Sequence, residues 1–294
     1  MPTPAPTPAP FHEALLDWYA ASARELPWRE PGTTPYQVLV SEVMLQQTPV
    51  ARVVPAYQGW IARWPDARAL AAAPSGEAVR QWGRLGYPRR ALRLHAACVD
   101  VVESYAGELP TTVHELLSLP GVGDYTARAV ATFALRQRHP VVDTNVRRVV
   151  ARLVEGVADA VVTKKDLALV EALLPVLDED AATLSIAIME LGALVCTARA
   201  PRCPSCPVAA WCSWRAAGYP ELVQPVRRPQ GYTGTDRQVR GQLLAVLRDS
   251  AEPVHADDLA RVWDEPVQRA RALDGLVADG LVDPLPDSRY ALPR

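Results

Sequence analysis

Cys196, Cys203, Cys206 and Cys212 follow one another with the spacing C-x6-C-x2-C-x5-C, and no other feature restricts the fold so tightly. Four thiols confined to 17 residues are the wrong distribution for a secreted disulfide scaffold, whose cysteines spread along the chain. They argue for a metal centre in an intracellular protein. A structural zinc site usually shows two close pairs of ligands, and here only Cys203 and Cys206 form one. A four-iron four-sulfur cluster accepts four cysteines at looser spacing. The spacing therefore favours a cluster over zinc. The fifth cysteine, Cys98, sits in the amphipathic stretch ALRLHAACVDVV and reads as a core residue.

The remainder of the first 215 or so residues reads as helix. FHEALLDWYAASAREL, PYQVLVSEVMLQQ, VARVVPAYQGWIARW, TARAVATFALRQ, NVRRVVARLVEG and ATLSIAIMELGALVC each repeat apolar residues every three or four positions. Strand-like alternation is scarce, so the fold class is mainly α. Residues 1–10, MPTPAPTPAP, read as a disordered, solvated proline-rich tail. Residues 217–235 are rich in Pro and Gly and read as a linker. Residues 236–294 change pattern, to three helices and a short hairpin, LVDPLPDSRYALP. That describes a small winged-helix-like domain, either DNA-contacting or a packing module. Asp257, Asp258, Asp264 and Glu265 weigh against a strong DNA footprint there.

The bulk composition narrows the partners. At 49% hydrophobic and 22% charged residues, 294 residues can bury a sizeable core in two domains, or in one with an appendage. The formal charge of −2 predicts no strong overall attraction to nucleic acid. The cations are 29 Arg and only two Lys, Lys164 and Lys165, and Arg suits bidentate phosphate and base contacts. No apolar run approaches the roughly 18 residues a membrane span requires. The N-terminus does not resemble a signal peptide, and a cytoplasmic protein is expected.

Three stretches carry candidate chemistry. In SEVMLQQTPV, Glu42 shares a helix face with Val38, Leu39 and Leu45. A carboxyl on an apolar face is costly as an anion and holds its proton more tightly; the competing register points it to solvent. Thr48 and Pro49 mark the next helix start, with Thr48 as cap. In LPGVGDYTARAVATFA, Gly121 and Gly123 make a tight turn and Asp124 can cap the following helix. Free amides at that helix N-terminus can hold an anion, as a helix-hairpin-helix holds a DNA phosphate without reading sequence. In VVDTNVRRVV, Asp143 is placed as an N-cap, where amides and the helix dipole are expected to keep its pKa low. One protonated and one ionised carboxyl are the acid and stabiliser of glycoside hydrolysis. Arg199 and Arg202, between the first two clustered cysteines, are candidates for phosphate contact.

Together these pieces resemble the helix-hairpin-helix DNA glycosylases, and within them the MutY-type adenine DNA glycosylases in a short, actinobacterial-like form. LPWR, SEVMLQQT, LGYPRRA, LPGVGDYTA, VDTNVRRV and the cysteine spacing occur in family order from about Leu26 to Cys212. The resemblance implies a six-helix barrel lobe over residues 31–136, containing the hairpin, and a cluster lobe over 11–30 and 137–216. It implies one four-iron four-sulfur cluster on Cys196, Cys203, Cys206 and Cys212. By position, Glu42 matches the acid that protonates N7 of an extruded adenine. Asp143 matches the carboxylate that stabilises or traps the sugar cation. Tyr125 and Asn145 match residues supporting that step, and Arg29 one of the adenine pocket. Leu45, Gln47 and Tyr87 match side chains inserted into the DNA stack. The implied activity is base excision repair, removing adenine opposite 8-oxoguanine or guanine in double-stranded DNA by a monomeric bacterial protein associated with the nucleoid.

Bifunctional relatives use a lysine where this chain has Tyr125, and the chain has no lysine before Lys164; a monofunctional glycosylase is expected. A thymine-mismatch glycosylase of the same superfamily and a catalytically inactive iron–sulfur DNA-binding protein are the rivals. Members of the family commonly carry a Nudix-like domain that recognises 8-oxoguanine. Residues 236–294 are too few and too helical for one.

Overall fold

A computed structural model describes residues 8–158, 163–221 and 231–294. The described helices are, in chain order, α1 (Pro8–Ser22), α2 (Pro35–Leu45), α3 (Val50–Arg63), α4 (Ala67–Ala71), α5 (Ser75–Trp82), α6 (Arg89–Ser104), α7 (Val113–Leu116), α8 (Asp124–Phe133) and α9 (Thr144–Val150). They continue as α10 (Lys164–Leu173), α11 (Asp178–Leu194), α12 (Ser213–Ala216), α13 (Asp236–Asp249), α14 (Ala256–Ala260) and α15 (Pro266–Ala278). Three short strands complete the description, β1 (Val254–His255), β2 (Asp283–Leu285) and β3 (Arg289–Ala291). The chain is mainly α. Of the tail expected over residues 1–10, residues 1–7 lie outside the described residues, whereas 8–10 form the first turn of α1. Most of the linker segment, residues 222–230, also lies outside them.

The described residues divide into two compact units. Those of Met1–Val38, Thr111–Leu117 and Val122–Val226 form the first, and those of Leu39–Pro110, Ser118–Gly121 and Arg227–Arg294 the second. The first unit is organised around α11, which packs against α1, α8 and α9. Its sequence, DEDAATLSIAIMELGAL, is apolar around nearly its whole circumference after the first turn, and such a helix must be covered on all sides. Phe11 and Leu15 from α1, Val146, Val149 and Val150 from α9, and Leu184, Ile188 and Leu191 from α11 form its core. A π-helical turn, Ala151–Glu155, continues α9 and ends at Gly156 in the left-handed region, φ 73°.

In the second unit α4 and α5 pack on α6. Trp60 and Trp82 are fully buried, their rings edge-to-face at 5.7 Å. The winged-helix-like piece belongs to the same unit. Its α13 packs on α15 and on α5, and its antiparallel sheet has the order β1-β3-β2. The third strand, β1, is absent from the sequence reading, because two residues cannot show alternation. Docking uses the chain's last residues. The Gly76 amide donates to the Pro293 carbonyl at 2.8 Å, where a Cβ on residue 76 would approach that oxygen to 2.3 Å. The Arg80 guanidinium also donates to the carbonyls of Arg248 and Ser250.

Candidate active site

Along α2, Val38, Leu39, Val40, Ser41, Val43 and Met44 are all buried, and Glu42 with them at 5% exposure. The solvent-facing register is thereby excluded. The helix ends at Leu45, which is half-buried, and the chain turns at Gln47, which is exposed with φ 55°. Such a φ is uncommon for a residue with a side chain and stores strain. Tyr87 repeats the pattern, 52% exposed with φ 49°. The cap expected at Thr48 falls one residue later, on Pro49. Thr48 instead turns its hydroxyl inward, where it accepts from Arg90.

The hairpin runs from α7 through buried Leu119 to α8. Gly121 has φ 78°, and a Cβ there would come within 2.6 Å of the Arg93 Cβ. Gly123 is exposed and is the residue at which α8 begins its hydrogen bonding. Asp124 is not the cap expected of it. It lies inside the first turn of α8 and pairs with Arg128 at 3.0 Å, one turn along, an exposed arrangement that spacing alone allows. Tyr125 follows, half-buried.

Asp143 caps α9. One carboxylate oxygen accepts from the Val146 amide at 2.7 Å and the other from the Asn145 side chain at 2.8 Å. Its pKa was expected to be low, and the structure reverses that direction. Burial pushes the Asp143 carboxyl up, outweighing the hydrogen bonds from Val146 and Asn145 and the positive charge of Arg148. The capping amides are present, but water is too largely excluded for them to dominate. Asn145 in turn accepts from Arg148 at 2.8 Å, and Arg148 also donates to the carbonyls of Gly192 and Cys196. Gly192 lets α11 approach closely: a Cβ there would lie 2.9 Å from the Cβ and carbonyl oxygen of Asn145.

Arg29 lies in the same unit, on the 3-10 turn Pro27–Arg29. It donates to Glu190 at 3.0 Å, and Arg24 grips the same carboxylate through two nitrogens at 2.6 and 2.8 Å. Glu190 is fully buried on α11. Burial works to raise its carboxyl, yet Arg24 and Arg29 overcome this and hold it at about 2. The other terminal nitrogen of Arg29, Nη1, is buried with no hydrogen-bond partner among the described residues.

The four clustered cysteines are half-buried and unbridged. Burial pushes the Cys206 thiol up to about 11, and the neighbouring charges of Cys196, Cys212 and Cys203 add to that. All four sulfurs therefore share one electrostatic neighbourhood. Arg152, in the π-helical turn, donates to the Cys196 sulfur at 3.5 Å and to the Thr197 carbonyl, and its guanidinium lies over the Trp214 ring. Arg199 and Arg202 are both exposed on the loop between the first two cysteines. Arg202 also donates to the Leu194 carbonyl at 2.5 Å. Among the described residues no group of three or more His, Cys, Asp or Glu is drawn close enough to hold a single metal ion.

Residues 40–169 match the family model described as HhH-GPD superfamily base excision DNA repair protein. An adenine DNA glycosylase of Mycolicibacterium smegmatis is 57% identical over 279 residues, 95% of this chain and 94% of that one. The chain belongs to the adenine DNA glycosylases. An adenine DNA glycosylase of Homo sapiens is 42% identical over 217 residues, 70% of this chain but only 39% of the human one. Among solved structures, a thermostable thymine-DNA glycosylase superposes with a TM-score of 0.64 at 27% identity, over 70% of this chain and 95% of that one.

For this glycosylase, the candidate residues fall in both units. Glu42, Leu45, Gln47, Tyr87 and Gly121 belong to the second; Arg29, Gly123, Tyr125, Asp143, Asn145 and the cysteine loop belong to the first. Sequence reasoning missed three residues of the glycosylase's site regions. Glu190 carries the same signal that singled out Glu42, a carboxylate in an apolar helix, here in SIAIMELGAL. Arg90 and Arg148 lie within LGYPRRA and VDTNVRRV but were assigned no role, because an arginine on an amphipathic helix is ordinarily a solvated one. Both are buried and bonded to backbone carbonyls.

Proposed function

We propose that this glycosylase removes adenine mispaired with 8-oxoguanine or guanine from double-stranded DNA, hydrolysing the N-glycosidic bond without cutting the strand. The observation that carries the reading is Glu42, buried at 5% exposure on α2. A carboxylic acid delivered from an apolar helix suits proton donation to a base. In the proposed role Glu42 gives its proton to N7 of the extruded adenine, which leaves with the electron pair of the glycosidic bond. The sugar is left as an oxocarbenium-like cation, which Asp143 stabilises or traps before water adds. A carboxylate whose pKa is pushed up by burial is poorly screened by water, so it acts strongly on a neighbouring cation. Tyr125 and Asn145 support this step, and Arg29 with its partner Glu190 belongs to the adenine pocket. The first lysine is Lys164, which supports a monofunctional reaction, since no amine precedes it on the hairpin to form a Schiff base.

Leu45, Gln47 and Tyr87 are the side chains proposed to enter the DNA stack. Gly121 and Gly123 offer backbone amides to phosphate, and Arg199 and Arg202 add charge. Extrusion costs a few kcal/mol, least at a mispair, which contributes selectivity. Cys196, Cys203, Cys206 and Cys212 fit a four-iron four-sulfur cluster: an all-thiol donor set in one electrostatic neighbourhood. When bound, such a cluster cross-links the loop that carries Arg199 and Arg202. Among the described residues no helix is long and apolar enough to cross a membrane, and we place the protein in the cytoplasm as a monomer.

The test is single-turnover base release from four duplexes differing at one pair, 8-oxoguanine:A, G:A, G:T and T:A, with strand breaks read before and after alkali. Alkali-dependent breaks at adenine, fastest opposite 8-oxoguanine, are expected. Breaks at thymine in G:T with adenine untouched would instead place the activity with the thymine glycosylases. Glu42→Gln is expected to keep DNA binding and lose base release; full activity would remove Glu42 from the acid role. Anaerobically purified protein should be brown and contain iron, and colourless protein with bound zinc would overturn the cluster.

A further inference from the structure

Arg90, on the first turn of α6, is 7% exposed and makes five hydrogen bonds, all to neutral oxygens of the second unit. Nη1 donates to the carbonyls of Val43, Met44 and Gln46 at 2.8, 3.1 and 2.6 Å. Nη2 donates to the Thr48 hydroxyl at 3.0 Å and to the Gly86 carbonyl at 2.9 Å. The guanidinium also lies over the rings of Trp82 and Tyr87, 5.1 and 5.6 Å from their centroids. Burial lowers its pKa to about 10, so it remains a cation at neutral pH.

These bonds bracket two strained residues. Gln46 and Thr48 flank Gln47, and Gly86 precedes Tyr87; both Gln47 and Tyr87 hold positive φ. Strained backbone persists only where the surroundings over-determine it. The carbonyls at the C-terminus of α2 have no partners within the helix, and a cation there is favoured by the helix dipole as well. One planar fork thus ties two segments some forty residues apart in sequence into a single body. A lysine, with a compact ammonium, cannot reach five acceptors in that geometry.

We infer that Arg90 is a positioning residue for base extrusion, holding Gln47 and Tyr87 as one pre-set pair of probes. The inference rests on the reading of those two side chains as entering the DNA stack. Its value for function is preorganisation: probes already ordered lose less freedom when DNA is engaged.

The experiment uses the full chain with Glu42→Gln, which leaves the target base attached, and a duplex carrying 2-aminopurine opposite guanine. Hydrogen exchange of residues 44–49 and 85–89 is measured alongside 2-aminopurine fluorescence, with Arg90→Lys added. Exchange should rise in both segments together, and the extrusion equilibrium should fall by about tenfold, as expected when several charge-assisted bonds are lost. Thr48→Val, which removes one acceptor, should give the same pattern more weakly, and it decides the matter if Arg90→Lys does not fold. Unchanged exchange in the two segments overturns the tether. Raised exchange with undiminished extrusion, while Tyr87→Ala lowers it, overturns the positioning role alone. If Gln47→Ala and Tyr87→Ala also leave extrusion intact, the reading of those residues as probes falls, and the inference with it.

Discussion

Glu190 and Asp143 are carboxylates of the same unit, and their surroundings drive them in opposite directions. Glu190 is sealed from water but gripped by Arg24 and Arg29, so its proton is lost down to about pH 2. Asp143 is half-buried, accepts two neutral hydrogen bonds and has Arg148 nearby, yet burial still raises its pKa. Arg148 is itself engaged with the Asn145 oxygen and the Gly192 and Cys196 carbonyls. A carboxylate saturated by two guanidiniums has no capacity left for a developing cation. One held by an amide and a backbone N–H does. The contrast separates a carboxylate that fixes a frame from one fit to act on a reacting sugar.

The sharpest way to break this comparison is to exchange each carboxylate for its amide. Asp143→Asn keeps an N-cap and removes the charge, so base release should fall by about a thousandfold or more. Stability at neutral pH should be unchanged or slightly higher, because a desolvated charge is removed. Single-turnover kinetics and urea denaturation read both halves. Near-normal rates would dissolve the distinction.

Glu190→Gln should act through the fold, leaving two arginines beside each other with no counter-charge, at a cost of about 3 kcal/mol. Acid denaturation sharpens the point. Because the folded-state value of Glu190 lies near 2, below its ordinary 4.5, its pairing stabilises fully above pH 4.5. That contribution fades as pH falls from there through 2, worth about 3 kcal/mol in all. Asp143, raised in the fold, has the reverse sign, its cost being relieved as it is protonated. Glu190→Gln should therefore flatten the loss of stability between pH 4.5 and 2. An unaltered acid profile would mean that Arg24 and Arg29 do not hold the proton off.

Gly192→Ala tests whether the Asp143 site depends on the close approach of α11 and α9. Its Cβ would press on the Cβ and carbonyl of Asn145 at 2.9 Å, and about 2 kcal/mol of stability should be lost with a reduced rate. The smallest effect belongs to a third carboxylate, Asp124 in the first turn of α8, which is exposed and paired with Arg128. Asp124→Asn should cost about 0.3 kcal/mol. A large loss there would show that position at a helix terminus, rather than burial, governs these groups.

Much of this was legible in the sequence. Period and apolar spacing marked the helices, and the turn residues marked the hairpin. The Asp143 cap was legible because it depends on four consecutive residues. The direction of its pKa was not, because desolvation comes from helices distant in the chain. Glu190 could have been found by the argument applied to Glu42. Asp124 was assigned the N-cap position that Gly123 occupies without a side-chain cap, a one-residue offset that local pattern does not settle.

The sequence by itself therefore determined which segments are helical, where thiols and carboxyls occur along them, and the family to which the chain belongs. Periodicity and spacing are local properties, and a few residues suffice to express them. Only the tertiary structure decided that Glu42 faces inward, that Glu190 is neutralised by two arginines from the other end of the chain, and that Asp143 is not. It also decided that Arg90 is buried against five oxygens beside Gln47 and Tyr87. Burial and charge pairing are made by residues far apart in sequence, and the energy of an ionised group depends on all of them at once.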